Sequence, residues 1–254
     1  MKIAIISDIH GNSHALKSVL KDITRRKVEM IINLGDSVYG PLDPLETIEI
    51  LMSSEMIHIK GNCDRMLWEP IQEQSATLIF VQNQLTNYHI GWLKQHPSQF
   101  IVDDMLCCHG TPTSDEVYLL EEMNENGAIL KNEKNIMDQL QNIEQKIIVC
   151  GHTHIPRVFY LANGKIIINP GSVGLPAYKD ELPVMHKMES GTPHAKYVVI
   201  EKVLGEWTIE QISVPYNWEE AAGLAVQQER YDWEDRMKGS LLYGKLLFFI
   251  LSRY

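Results

Sequence analysis

Short hydrophobic runs and longer amphipathic segments alternate along the first sixty residues of the chain. Continuous apolar runs predict buried strands, over residues 2–6, 30–34 and 56–60. The segments between them predict helices over about 14–26 and 44–53, and Asn12 is a good N-cap for the first helix. Strands joined by helical crossovers imply a parallel sheet.

The rest of the chain has more strands, most of them in hairpins. Residues 72–95 are predicted to be mostly helical, and a further helix is predicted over 133–143. The predicted strands lie near 99–102, 105–108, 146–150, Val158–Leu161, Lys165–Ile168, Lys196–Val203 and Trp207–Val214. Asn163-Gly164 is a strong hairpin signal between two of them. We expect an α/β fold in which two β-sheets pack face to face with helices outside.

Two segments near the C-terminus lack such clear signals. Residues 175–195 show no periodicity, so we expect either a substrate-selecting lid or an ordinary solvated loop. Beyond about residue 217 we expect a helical extension of a single domain spanning 1–254, with one helix from Trp218 to about Lys238. The apolar run Leu241–Leu251 is too short to span a bilayer, so core docking or an oligomer contact is expected; the oligomeric state stays open.

Composition narrows the class of protein. The 254 residues are 44% hydrophobic and 22% charged, as in ordinary soluble globular proteins. We expect a cytoplasmic protein with no membrane partner, because no signal peptide precedes the first strand, and buried thiols at Cys107, Cys108 and Cys150. The net charge of -10 argues against binding long nucleic acid, so a small phosphorylated substrate is the expected partner.

Metal-binding side chains follow most of the predicted strands. They occur in Asp8-Ile9-His10, Gly35-Asp36, Gly61-Asn62-Cys63-Asp64, Cys107-Cys108-His109-Gly110 and Gly151-His152-Thr153-His154. Ligands of open α/β sheets bind beyond the carboxyl ends of the strands. One rim of a sheet is therefore predicted to gather two aspartates, one asparagine and four histidines, which is the ligand complement of two adjacent metal ions.

The order of these segments resembles the calcineurin-like metallophosphoesterase superfamily, whose pattern is DxH, GD, GNH(D/E), H and GHxH. The resemblance runs from about residue 1 to about residue 214. Phrases such as Asn169-Pro170-Gly171-Ser172 look like its small prokaryotic phosphodiesterase branch. The resemblance implies a four-layer αββα sandwich of two mixed β-sheets flanked by helices.

The resemblance also implies roles for individual residues. The first metal would be held by Asp8, His10 and His154, the second by Asn62, His109 and His152, with Asp36 bridging both. Asp36, Asn62, Cys63, Asp64 and His109 are the expected catalytic residues. Mixed carboxylate, imidazole and amide ligands favour two divalent ions, with Mn²⁺ first and Fe, Zn, Ni or Mg as alternatives. The implied reaction is attack of a metal-bound hydroxide on phosphorus.

Cys63 departs from the family pattern, which places a histidine near the leaving oxygen. Cysteine is a poorer proton donor, and a good leaving group needs less protonation. We therefore expect small phosphodiesters or nucleotides, such as dinucleoside polyphosphates, as substrates. The alternatives are a phosphomonoesterase or protein phosphatase, or a non-catalytic scaffold of the same fold, which the complete ligand set argues against.

Four residues are predicted to contact substrate. Asn12 either caps the first helix only or also brings its amide to a phosphate oxygen. Within residues 175–195, Lys179 and Lys187 are expected to meet a second phosphate, and Tyr178 to stack on a base.

Overall fold

The N-terminal third of the chain alternates strands and helices, as its hydrophobic pattern predicts. The structure is a computed structural model that describes residues 1–70, 74–124 and 127–241. Its first elements are β1 (Lys2–Ile6), α1 (Ser13–Arg26), β2 (Met30–Asn33), α2 (Pro44–Met52), β3 (Ile57–His58), α3 (Asn62–Arg65), α4 (Ala76–Gln84) and α5 (Asn87–Lys94). Asn12 caps α1, as predicted, by accepting a hydrogen bond from the backbone N–H of Ala15.

Strands predominate in the remainder. The elements are β4 (Gln99–Val102), β5 (Met105–Cys108), β6 (Glu121–Asn124), β7 (Gly127–Leu130), α6 (Glu133–Gln139), β8 (Ile147–Val149), β9 (Arg157–Tyr160), β10 (Ile166–Asn169), β11 (Ala177–Asp180), β12 (His186–Glu189), β13 (Ala195–Val203), β14 (Glu206–Val214), α7 (Trp218–Gln227) and α8 (Tyr231–Met237). The β9–β10 and β13–β14 hairpins are those predicted from sequence.

Ten strands form two mixed sheets of five. One has the order β14–β13–β1–β2–β3 and the other β4–β5–β8–β10–β9. In the first sheet β1, β2 and β3 run parallel, and in the second β5, β8 and β10 run parallel. Parallel neighbours end at the same edge of a sheet, so each sheet carries its strand-end loops on one rim.

Alternate residues of the central strands divide between two cores. Ile3 and Ile5 of β1 pack against Met105 and Cys107 of β5 in the core between the sheets. Ala4 and Ile6 face the opposite way, towards Leu16 and Val19 of α1. In the other sheet, Leu106 and Ile148 face Ile136 of α6. The predicted four-layer αββα sandwich is confirmed, and Cys107, Cys108 and Cys150 are buried free thiols, as expected.

The prediction that 175–195 lacks regular structure is wrong. Residues 177–189 contain the antiparallel hairpin β11–β12, with Ala177 opposite Glu189. His186 and Met188 are buried while Lys187 is exposed, which is the two-residue period of a half-buried strand. Each strand is four residues long, so the period is too brief to stand out in sequence.

The single helix predicted from Trp218 to Lys238 is also wrong. Two helices, α7 and α8, are separated at Glu229, whose φ is 58°. α6 ends at Gln139, short of the predicted residue 143, and the β6–β7 hairpin was not predicted. The apolar run Leu241–Leu251 lies outside the described residues except for Leu241. No helix within 1–70, 74–124 or 127–241 is both long and apolar enough to cross a bilayer.

Candidate metal centre

The predicted metal ligands lie in the loops at the carboxyl ends of the strands. They are Asp8 and His10 after β1, Asp36 after β2, Asn62 at the start of α3 beyond β3, His109 after β5, and His152 and His154 after β8. Both sheets contribute, because β1 to β3 belong to one sheet and β5 and β8 to the other. The site therefore spans the boundary between the two inner layers.

The seven side chains form two adjoining sets. The ligand atoms of Asp8, His10 and His154 lie within 4.8 Å of one another, and so do those of Asp36, His109 and His152. Asn62 joins the second set, with its Oδ1 3.1 Å from His109 Nε2.

Asp36 lies between the two sets. Its Oδ2 is 3.3 Å from Nε2 of His109 in the second set and 3.9 Å from Nε2 of His10 in the first. The arrangement is that of a carboxylate able to offer oxygen to two neighbouring cations.

Backbone carbonyls fix the orientation of three imidazoles. Nδ1 bonds to a carbonyl oxygen in each, from His10 to Tyr39 at 2.8 Å, from His109 to Leu34 at 2.9 Å and from His154 to Leu175 at 2.6 Å. A carbonyl only accepts, so each Nδ1 must be the protonated donor. In the neutral ring, Nε2 then carries a free lone pair and can bind a metal.

In the first ligand set, the oriented atoms lie against one another. Nε2 of His10 faces Nε2 of His154 at 3.2 Å, and two lone pairs at that distance repel unless a cation or proton lies beside them. Oδ1 of Asp8 is buried without a hydrogen-bond partner among the described residues. Since buried polar atoms are otherwise satisfied, the residues present fit divalent metal ions.

Burial and neighbouring charges shift the protonation of the site in opposite directions. Burial opposes ionisation of Asp8, but His154 lowers the pKa of that carboxyl to about 2. Burial lowers the pKa of His10 and of His152 to about 4. Burial also disfavours charge on His109, but Asp36 raises its pKa to about 10. A cation bound beside Asp36 would therefore replace the proton on His109.

Five of the seven predicted ligands have a backbone in the left-handed region. The φ angles are 55° for Asp8, 50° for His10, 54° for Asp36, 69° for His152 and 62° for His154. Each such residue costs of order 1–3 kcal/mol unless surrounding structure holds it in place. Strain concentrated on potential ligands is typical of functional sites.

Asp64 holds the loop that carries Asp36. Its carboxylate accepts the backbone N–H groups of Asp36 at 2.8 Å, Ser37 at 2.8 Å and Gly61 at 3.0 Å. Asp64 therefore acts on Asp36 through the backbone, and its catalytic role stays a prediction. A Cβ at Gly61 would lie 2.2 Å from Oδ1 of Asp36, which explains the glycine.

Cys63 contributes to the same loop through its backbone. Its N–H donates to Oδ1 of Asp36 at 2.9 Å. Burial and the nearby Asp36 raise the pKa of the thiol well above its ordinary value, so the side chain stays neutral. The side chain lines the cavity above the predicted ligands.

A cavity of about 280 Å³ opens above the two sets. Tyr178 and Lys179, predicted from sequence to contact substrate, both line it, whereas Lys187 is not among its lining residues. Lys187 instead forms an ion pair with Glu189 at 2.7 Å. The expected contact between Lys187 and a phosphate stays a prediction.

Tyr178 contacts the ligand-bearing turn, and its stacking on a base stays a prediction. Its ring packs edge-on against His154, with centroids 4.6 Å apart. Its hydroxyl is 2.9 Å from that of Tyr118 and 3.2 Å from the carbonyl oxygen of His152. Tyr178 braces the turn that carries two predicted ligands.

Asn12 forms its side-chain hydrogen bonds within the protein, and its contact with a phosphate stays a prediction. Its amide donates to the carbonyl oxygen of Gly174 at 3.0 Å and to the Tyr216 hydroxyl at 3.1 Å. Its oxygen caps α1, and the residue is 1% exposed. Both acceptors of the Asn12 amide therefore belong to the protein itself.

A larger cleft of about 860 Å³ adjoins the cavity. The two share five lining residues, which are Asn62, Met66, Tyr118, His152 and Asp180. The far wall of the cleft comes from the β6 strand and from Leu182 and Pro183 in the β11–β12 hairpin. Two openings thus diverge from the second ligand set.

Sequence reasoning missed several residues of the cavity wall. They are Tyr39, Met66, Tyr118, Leu175, Asp180, Trp233 and Arg236. Trp233 and Arg236 belong to α8, roughly 80 residues beyond the last ligand motif. No local signal marks them, since their position depends on how α8 packs against β11.

Two mixed sheets that meet at a rim of predicted metal ligands are the arrangement expected of a metallophosphoesterase. A sequence profile of the calcineurin-like phosphoesterase superfamily domain matches residues 1–191, and the chain belongs to that superfamily. The predicted resemblance is thus confirmed. An uncharacterized protein of Methanocaldococcus jannaschii is 26% identical, covering 91% of this chain and 94% of its own length.

Two solved structures share the fold. A metallophosphoesterase from Sphaerobacter thermophilus aligns with a TM-score of 0.72 at 24% identity, over 94% of this chain and 98% of that one. A hypothetical protein from Pyrococcus horikoshii aligns with a TM-score of 0.72 at 16% identity, with the same coverage of both chains. These similarities extend past residue 191 to include the C-terminal elements.

Proposed function

We propose that this protein is a dinuclear-metal phosphodiesterase that hydrolyses small phosphodiesters or nucleotides. The observation that carries the proposal is the position of Asp36 Oδ2 between two sets of ligand atoms. The first ion would be held by Asp8, His10 and His154 and the second by Asn62, His109 and His152, with Asp36 shared. Bound divalent ions lower the pKa of water and offset negative charge on the phosphoryl group.

The chain itself supplies orientation. Carbonyl oxygens fix three imidazoles, and Asp64 fixes the backbone on either side of Asp36. These groups are buried, so the ligand atoms lie in place before substrate arrives. Such preorganisation avoids rearrangement during the reaction.

The two openings favour a diester over a monoester. A phosphodiester carries two substituents on one phosphorus, and the cavity and the cleft diverge from shared residues at the second ligand set. A monoester would fill only one of them. Cys63, whose thiol is neutral and a weak donor, also suits the better leaving groups of diesters and nucleotides.

Replacing Asp36 tests the proposal. Asp36→Asn is expected to remove nearly all Mn²⁺-dependent hydrolysis of bis(p-nitrophenyl) phosphate and to lower metal content to one ion or fewer per chain. The reason is that asparagine loses the charge and one of the two oxygens. Asp138→Asn is the matched control, since Asp138 is exposed on α6, and it should retain both ions and activity.

Three outcomes would contradict this assignment. Two tightly bound ions and near-normal turnover in Asp36→Asn would remove the bridging role. Faster wild-type turnover of p-nitrophenyl phosphate than of the diester would favour a phosphomonoesterase. Wild-type protein with two bound ions and no activity on either ester would favour a scaffold.

A further inference from the structure

The ring of Trp233 lies between Arg236 of α8 and His10 of the first ligand set. Its guanidinium carbon lies 5.2 Å from the centre of the Trp233 ring, and that ring lies 6.2 Å from the ring of His10. Arg236 and Trp233 both line the cavity. They lie beyond residue 191, where the superfamily profile ends.

The guanidinium of Arg236 has donors to spare. Its side chain is 23% exposed, and its one ion pair among the described residues is to Asp232, with Nη2 3.4 Å from Oδ2. Arg230 already binds both oxygens of Asp232 at 2.9 Å. Arginine carries five N–H groups, and no Arg236 nitrogen is among the fully buried unpaired atoms of the described residues, so these donors stay accessible. An anion in the cavity would satisfy them.

The cavity and the cleft also differ in the charge of their walls. The cavity wall carries two basic side chains, Arg236 and Lys179, and two acidic ones, Asp36 and Asp180, so its charges balance. The wall of the cleft carries the acidic side chains of Glu116, Glu121, Glu122 and Asp180 against one lysine, Lys131. An anionic substituent of a bound phosphoester is therefore directed into the cavity, and an uncharged or apolar substituent into the cleft.

We propose that Arg236, with Lys179 on the wall of the same cavity, binds a second phosphate of the substrate. The inference rests on the proposed function, because it places one phosphoryl group at the metal ligands and another at α8. It narrows the substrate class to compounds with at least two linked phosphates, such as nucleoside or dinucleoside polyphosphates. Guanidinium is well suited to this because its planar donors match phosphate oxygens in pairs.

The test compares a polyphosphate with a diester that has a single phosphate. For Arg236→Met, which keeps an apolar stem over Trp233, kcat/KM on a dinucleoside tetraphosphate should fall about 10- to 100-fold, mostly through KM. Hydrolysis of bis(p-nitrophenyl) phosphate should change less than about twofold. Arg236→Lys should recover part of the loss. Lys238→Met is the matched control, because Lys238 pairs with Asp235 and Glu234 away from the cavity.

A binding readout keeps the test decisive if the tetraphosphate is not cleaved. Inorganic tripolyphosphate should inhibit diester hydrolysis by the wild type, with an inhibition constant about tenfold higher in Arg236→Met. Equal losses on both substrates, or an unchanged inhibition constant, would overturn the role of Arg236. Wild-type protein inactive on the nitrophenyl diester would instead contradict the proposed function itself.

Discussion

The backbone and the side chain of Cys63 have separate roles. The N–H holds Asp36, as a histidine at the same position would also do. The thiol, kept neutral by burial and by Asp36, faces the cavity. A substitution at position 63 therefore changes the chemistry offered to substrate without removing the bond to Asp36.

Cys63→His is expected to change the preference for leaving groups. An imidazole donates a proton more readily than a neutral thiol. The kcat/KM for alkyl esters should therefore rise relative to that for p-nitrophenyl diesters. The measurement is kcat/KM across a leaving-group series, with metal content checked in each variant. A slope identical to that of the wild type, with both ions retained, would show that position 63 plays no part in protonation.

Among the elements, those with long or continuous hydrophobic signals were predictable. β1 and β2 read as apolar runs because both faces are buried, and their loops carry ligands with characteristic neighbours. The short hairpins and the break at Glu229 were not predictable, because four-residue strands have too little periodicity and the break has no glycine or proline. Trp233 and Arg236 were not predicted for another reason. They line the cavity only because α8 packs against elements that are distant in sequence.

β3 and α5 meet at a cluster of neutral rings. His58 at the end of β3 stacks on His96, with centroids 4.9 Å apart, and both contact Trp92. Burial lowers the pKa of His58 to about 3 and that of His96 to about 4. Nε2 of His96 is buried without a hydrogen-bond partner among the described residues.

This cluster predicts a loss of stability in mild acid. The folded-state pKa of each histidine lies below its unfolded value of about 6.5, so protons favour the unfolded chain. The two neutral histidines contribute fully to the free energy of unfolding above pH 6.5, and this contribution is lost as pH falls towards 4. Between pH 7 and pH 5 the wild type should lose about 2 kcal/mol more unfolding free energy than His58→Phe. Urea titrations of both proteins in the presence of a chelator would measure this difference. The same dependence of unfolding free energy on pH in the wild type and in His58→Phe would contradict the prediction.

For the molecule as a whole, the sandwich ties metal binding to folding. The predicted ligands come from both sheets, and five of them have strained backbones that bound cations would help to hold. Mn²⁺ at about a hundredfold over its dissociation constant should stabilise the fold by about 2.7 kcal/mol, which raises Tm by roughly 5–10 °C. Thermal unfolding with Mn²⁺ and with chelator would show the difference, and Asp36→Asn should show less of it. Equal Tm values for wild type with and without two bound ions would contradict the linkage.

The pairing of β1 with β13 has a consequence for how the protein is made. β1 (Lys2–Ile6) is synthesised well before one of its two neighbours in the sheet, β13, which begins only at Ala195. At roughly 5–20 residues per second, a ribosome reaches that point about 10–40 seconds later. During that interval an apolar strand keeps one hydrogen-bonding edge open, and open edges invite pairing with other chains. The nascent chain is therefore most prone to aggregate just before its sheet closes, and a chaperone that shields β1 would help most in that interval.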